Sequence, residues 1–78
     1  MNKHILLVMK WLNDKDSVSQ EELAKNKRGA CVSHEAYAAY IAASAAVSGS
    51  ASNAACWVDV YFDQTGENRN EYEKELEK

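Results

Sequence analysis

The chain has 78 residues, 46% hydrophobic and 27% charged, with three glycines, two cysteines, no proline and a formal net charge of −3. A chain this short buries only about 60% of the surface its unfolded form exposes, which excludes a multidomain enzyme with a deep cleft and predicts a single domain over 1–78. The negative balance repels nucleic-acid backbones and argues against a nucleic-acid partner.

The first predicted element is an amphipathic helix over 3–13. Ile5, Val8 or Met9, and Leu12 follow helical spacing, and Leu6 and Leu7 widen the apolar face. The run Ile5–Met9 ends at Lys10 and no small-residue cleavage site follows, so no secretory leader is expected. Asn13, Asp14, Lys15 and Asp16 then stop the pattern with residues that prefer caps and turns.

Ser19-Gln20-Glu21-Glu22 fits a capping box, with Ser19 as N-cap and Glu22 reaching back to it. Val18 and Leu23 flank the box as a hydrophobic staple. From Gln20 the composition predicts a long alanine-rich helix over 20–63, about 65 Å at 1.5 Å per residue, with a kink near Gly29 or Gly49. The stretch Ser48–Asn53 reads either as that kink or as a turn separating two helices. Gly66 suits a left-handed helix end, and Asn68 with Glu71 opens a short acidic helix over 69–77 that carries Tyr72 and Leu76 on one face. The fold expectation is therefore all-α, a short helix, a long one packed in a helical oligomer, and a short tail helix.

Alanine carries much of the hydrophobic content: residues 36–55 hold ten alanines, and twelve of the fifteen residues from Ala42 to Cys56 are Ala, Ser or Gly. In heptads, Tyr37, Tyr40, Ser44, Val47, Ala51, Ala54, Val58 and Tyr61 form one seam, small in the middle and aromatic at both ends. Small side chains let helix backbones approach closely, so the seam is expected to pack against another copy of the chain or against the N-terminal helix. Residues 36–58 carry no charge and would be long enough to span a bilayer, but Ser44, Ser48, Ser50, Ser52 and Asn53 oppose insertion and no membrane partner is expected.

Lys25, Lys27 and Arg28 are the one tight basic cluster. With Tyr37 and Tyr40 following, a small anionic nucleotide held by charge and stacking is the expected ligand. Cys31 and His34 are half of a zinc site that would need Cys56 and His4, or another copy of the chain, to complete it, and no metal or other cofactor is expected. No phosphate-cradling glycine loop, HExxH motif or isolated carboxylate pair occurs, so no catalytic residue is predicted. Cys31 and Cys56 read as small hydrophobes in a reduced cytosolic compartment.

The segment from Ile5 to Asn26 resembles the opening of a winged helix-turn-helix regulator, a helix, a short polar turn and a capped S-x-x-E-L-A helix. The segment that would then read DNA, from Ala30 onward, is rich in alanine, tyrosine and serine, and no hairpin wing follows. The whole-chain layout, an opening of Met1–Leu12, an alanine/tyrosine-rich middle and a close of Trp57–Asn68, resembles a group of small proteins of tailed bacteriophages. That resemblance implies a non-enzymatic accessory protein in the cytoplasm of an infected bacterium, acting by stoichiometric binding. Two targets follow from it, a nucleotide-type signal of bacterial immunity or a host protein that the chain inhibits.

Overall fold

The computed structural model describes residues 1–33 and 37–78. Among the described residues five α-helices follow one another: α1 Lys3–Asn13, α2 Gln20–Ser33, α3 Tyr37–Val47, α4 Ala51–Thr65 and α5 Arg69–Leu76, with a 3₁₀ turn at Lys15–Ser17 after α1. No strand occurs among the described residues, so the fold is all-α as expected.

The helix starts follow local side-chain chemistry. Asn2 caps α1, its Oδ1 accepting from the backbone N–H groups of His4 at 2.9 Å and Ile5 at 3.2 Å. The capping box at Ser19 forms: Ser19 Oγ accepts from the Glu22 N–H at 3.1 Å, and Glu22 Oε1 accepts from the Ser19 N–H at 3.3 Å. Val18 and Leu23 are both buried beside it. Asn68 caps α5 through the Asn70 N–H, and Gly66 ends α4 at φ 70°.

The single helix expected over 20–63 is divided. The Gly49 N–H bonds to the Ala46 carbonyl and the Ser50 N–H to the Ala45 carbonyl, both at 3.0 Å, a Schellman pattern that closes α3. Gly49 takes φ +78°, where glycine alone pays no steric penalty. The chain then reverses and α4 packs against α3. A continuous 65 Å rod would exceed the longest dimension of the protein, 29 Å. Gly29, the other expected kink, lies inside α2. The tail helix ends at Leu76, one residue before the expected boundary.

Folding back gives the alanines their role. Ala38, Ala39, Ala42, Ala43 and Ala46 of α3 are all buried, and α3 packs against α1, α2 and α4 together. A helix hemmed in on three sides cannot carry large side chains everywhere, and alanine loses no rotamer freedom on burial. Several of the large core residues come from α1, which contacts every other helix: Ile5 and Val8 are fully buried, and Met9 and Trp11 nearly so, joined by Leu23, Tyr61 and Tyr72 from other helices. The expected packing against the N-terminal helix is thus found within one chain.

This arrangement splits the expected seam. Ala54, Val58 and Tyr61 are buried in the chain's own core, Tyr40, Ser44, Val47 and Ala51 are half-buried, and Tyr37 is 71% exposed. The acidic helix α5 docks through Tyr72, which is 1% exposed and edge-on to Phe62 at 4.9 Å. Arg69 lies over the same Phe62 ring and pairs with Asp59.

Candidate functional site

A groove of about 770 Å³ opens between α1 and α2. Lys3, His4 and Leu7 line it from α1, and Glu22, Lys25, Asn26, Arg28, Gly29 and Val32 line it from α2. Its floor is a two-point contact between the helices. His4 Nδ1 lies 2.9 Å from Asn26 Oδ1, and Asn26 Nδ2 donates to the His4 carbonyl at 3.1 Å. Both residues are at least nine-tenths buried. Buried polar groups need such reciprocal partners, so the pair fixes how α2 sits on α1. One turn along, Gly29 leaves the space that the His4 ring fills, since a Cβ there would stand 2.8 Å from Cε1.

The rim is basic. Among the described lining residues, Lys3, Lys25 and Arg28 are exposed, against one carboxylate, Glu22, which is already engaged with Ser19. Lys25 and Arg28 are three apart and neighbours on the helix surface. Lys27, two residues from Lys25, falls on the opposite flank and is half-buried. That flank is the one where Gln20, seven residues earlier, donates to the Val47 carbonyl of α3 at 2.7 Å. The basic trio of the sequence is therefore two residues in the groove and one outside it.

The tyrosines expected to stack a ligand lie elsewhere. Tyr37 packs on Tyr40 and edge-on to Trp57, each with ring centroids 6.4 Å apart. None of the described groove-lining residues is aromatic. Lys3, His4, Asn26 and Gly29 belong to the groove and escaped sequence reasoning. A glycine and an asparagine three apart inside an otherwise good helix former were their available signal.

A second polar cluster ties the end of α4 to α5 and the N-terminus. Both oxygens of Glu67 accept from phenols, Oε2 from Tyr61 and Oε1 from Tyr72, while Tyr72 Oη accepts from the Asn2 N–H at 2.6 Å. The hydrogen bonds from Tyr61 and then Tyr72 hold the Glu67 carboxyl below its ordinary range. Burial, reinforced by the bond to Glu67, pushes both phenols above theirs. With both oxygens occupied, Glu67 acts as a clasp rather than as an open base.

Cys31 and Cys56 are free and exposed, not packed as small hydrophobes. His34 lies outside the described residues, so the Cys31/His34 pair is not described. Among the described residues no group of three or more metal-ligating side chains converges, and no helix is long and apolar enough to cross a membrane. From Ala30 onward, where the winged helix-turn-helix resemblance would place its reading head, the described chain completes α2 at Ser33 and then forms α3, which packs on three neighbours and has no lysine or arginine. No protein-family model, curated protein or solved structure matches this chain.

Proposed function

We propose that the protein acts by stoichiometric binding through the α1/α2 groove, and that its ligand is anionic with an apolar body. The observation that carries this reading is the rim of Lys3, Lys25 and Arg28 over Leu7 and Gly29, a local positive excess on a chain of net charge −3. A nucleotide supplies both parts: phosphates for Lys25 and Arg28, and a base that lies against Leu7 and Gly29 instead of stacking on tyrosine. In the setting that the resemblance to small accessory proteins of tailed bacteriophages implies, the protein sequesters a nucleotide-type immune signal in the cytoplasm of the infected bacterium. The reading includes self-association through the outward part of the seam at Tyr37, Tyr40 and Ser44, and no chemistry by the chain itself.

Val32, 72% exposed at the groove edge, favours a second reading. An acidic amphipathic helix of a host protein, laid between α1 and α2, would cover it and meet the basic rim.

Calorimetry of the full chain against a panel of cyclic and linear nucleotides tests the first reading. The expected result is saturable heat that the Lys25→Glu/Arg28→Glu double variant abolishes. Heat that survives this variant removes the groove as the site, and no heat with any member overturns the nucleotide reading. Capture of a stoichiometric host protein that depends on Lys25, Arg28 and Val32 supports the second.

A further inference from the structure

We infer that His4 Nε2 reads the ligand in this groove, accepting a hydrogen bond from an O–H or N–H group of a bound nucleotide while Lys25 and Arg28 hold its phosphates. The inference rests on the groove being the binding surface.

The direction of the Asn26 amide decides the argument. Its NH₂ group donates to the His4 carbonyl at 3.1 Å, so its oxygen is the atom that faces the ring, 2.9 Å from Nδ1. An amide oxygen only accepts, and Nδ1 therefore carries a proton. In the neutral ring the lone pair then sits on Nε2. No group among the described residues bonds to Nε2. Among those residues, every side-chain nitrogen or oxygen sealed from solvent has a partner, so Nε2 opens into the groove. Gly29 leaves room for the ring beside it: a Cβ there would stand 2.8 Å from Cε1 and 3.7 Å from each ring nitrogen. The result is an imidazole on a residue only 7% exposed, locked by Asn26, with one acceptor atom facing a basic-rimmed groove. A ligand that supplies anionic oxygens alone leaves this acceptor unmatched. A nucleotide, with sugar hydroxyls and base N–H groups beside its phosphates, matches it.

The test compares adenosine diphosphate with pyrophosphate, the anion without sugar or base, on the full chain. His4→Asn keeps an amide N–H near the place of Nδ1–H for Asn26 and has no atom at the place of Nε2. The expected result is adenosine diphosphate affinity about tenfold weaker in His4→Asn, with pyrophosphate affinity unchanged. In wild-type protein labelled with ¹⁵N-histidine, the neutral His4 ring is expected as the Nδ1–H tautomer, and its Nε2 resonance moves with adenosine diphosphate and not with pyrophosphate. This second measurement decides the matter even where the variant does not fold. An Nε2–H tautomer, or a still Nε2 resonance in saturated protein, overturns the inference. Adenosine diphosphate binding that needs Lys25 and Arg28 but not His4 overturns it and leaves the groove reading standing. Absence of binding by both probes overturns the inference, whereas the groove reading falls only if the wider nucleotide panel also gives no heat.

Discussion

Gly29 and His4 pack with no room for a side chain between them: a Cβ on residue 29 would stand 2.8 Å from the imidazole Cε1. Glycine in a helix interior ordinarily costs about 1 kcal/mol relative to alanine, so Gly29→Ala would stabilise an unhindered α2. Here the contact reverses the sign. Gly29→Ala is expected to destabilise by about 1–3 kcal/mol, because the His4 ring must leave its position on Asn26 or α2 must shift. Urea unfolding checks it, and a raised midpoint would show that the ring moves aside freely.

What the sequence made legible was local. The box at Ser19–Glu22 and the left-handed end at Gly66 are settled within a turn of helix, and both form as expected. The chain reversal at Gly49 was partly legible: Ser48–Asn53 reads as a kink or a turn, but the alanines on either side favour continued helix and no proline interrupts them. Tertiary burial decides it: five alanines of α3 are sealed against three other helices, which a straight rod could not achieve. The groove was half legible. Lys25 and Arg28 were visible as charges, but Lys3, His4 and Asn26 join them only once α1 lies on α2.

At Gly49 a Cβ would meet no atom within 4 Å, so space is not the constraint. The backbone is, because φ stands at +78°. Gly49→Ala is expected to destabilise by about 1–2 kcal/mol through backbone strain alone. Gly49→Asn, which tolerates the left-handed region better, should lose less. Equal losses for the two variants in thermal or urea unfolding would contradict this.

Tyr72 joins the two ends of the chain, accepting from the Asn2 N–H at 2.6 Å and donating to Glu67. Tyr72→Phe keeps the ring on Phe62 and removes only the hydroxyl. The expected loss is about 1–3 kcal/mol, with faster amide exchange in α5 and at the first turn of α1. Exchange that accelerates evenly across the whole chain would mean that the clasp has no local role.

The same cluster sets a pH dependence. Glu67 titrates below its unfolded value because Tyr61 and then Tyr72 donate to the carboxylate. Its contribution to stability is present above about pH 4.3 and is lost as pH falls through the lower folded value. Tyr61 and Tyr72 titrate above theirs, chiefly through burial. Their contribution is present below about pH 10 and is lost as pH rises beyond it. Glu67→Gln is expected to lower stability at neutral pH and to flatten the acid limb of a stability–pH curve measured by urea unfolding. An acid limb of unchanged slope would place the responsible carboxylate elsewhere.

Ala54 is fully buried where α4 packs in the core, whereas Ala51 on the same helix is half-buried. Leucine at position 54 adds volume inside a buried contact, whereas at position 51 part of the added side chain can reach solvent. Ala54→Leu is expected to destabilise by about 1–3 kcal/mol, and Ala51→Leu by less. The concentration dependence of the unfolding midpoint separates the two partners the alanines could have. If Ala54 packs only inside its own chain, the loss is the same at every protein concentration. If the seam also joins copies, dilution lowers the midpoint of the wild type, and outward variants such as Tyr37→Ala remove that dependence. Sedimentation of the wild type and of Tyr37→Ala at matched concentrations gives the same answer from mass, because Tyr37, at 71% exposure, lies outside the buried core.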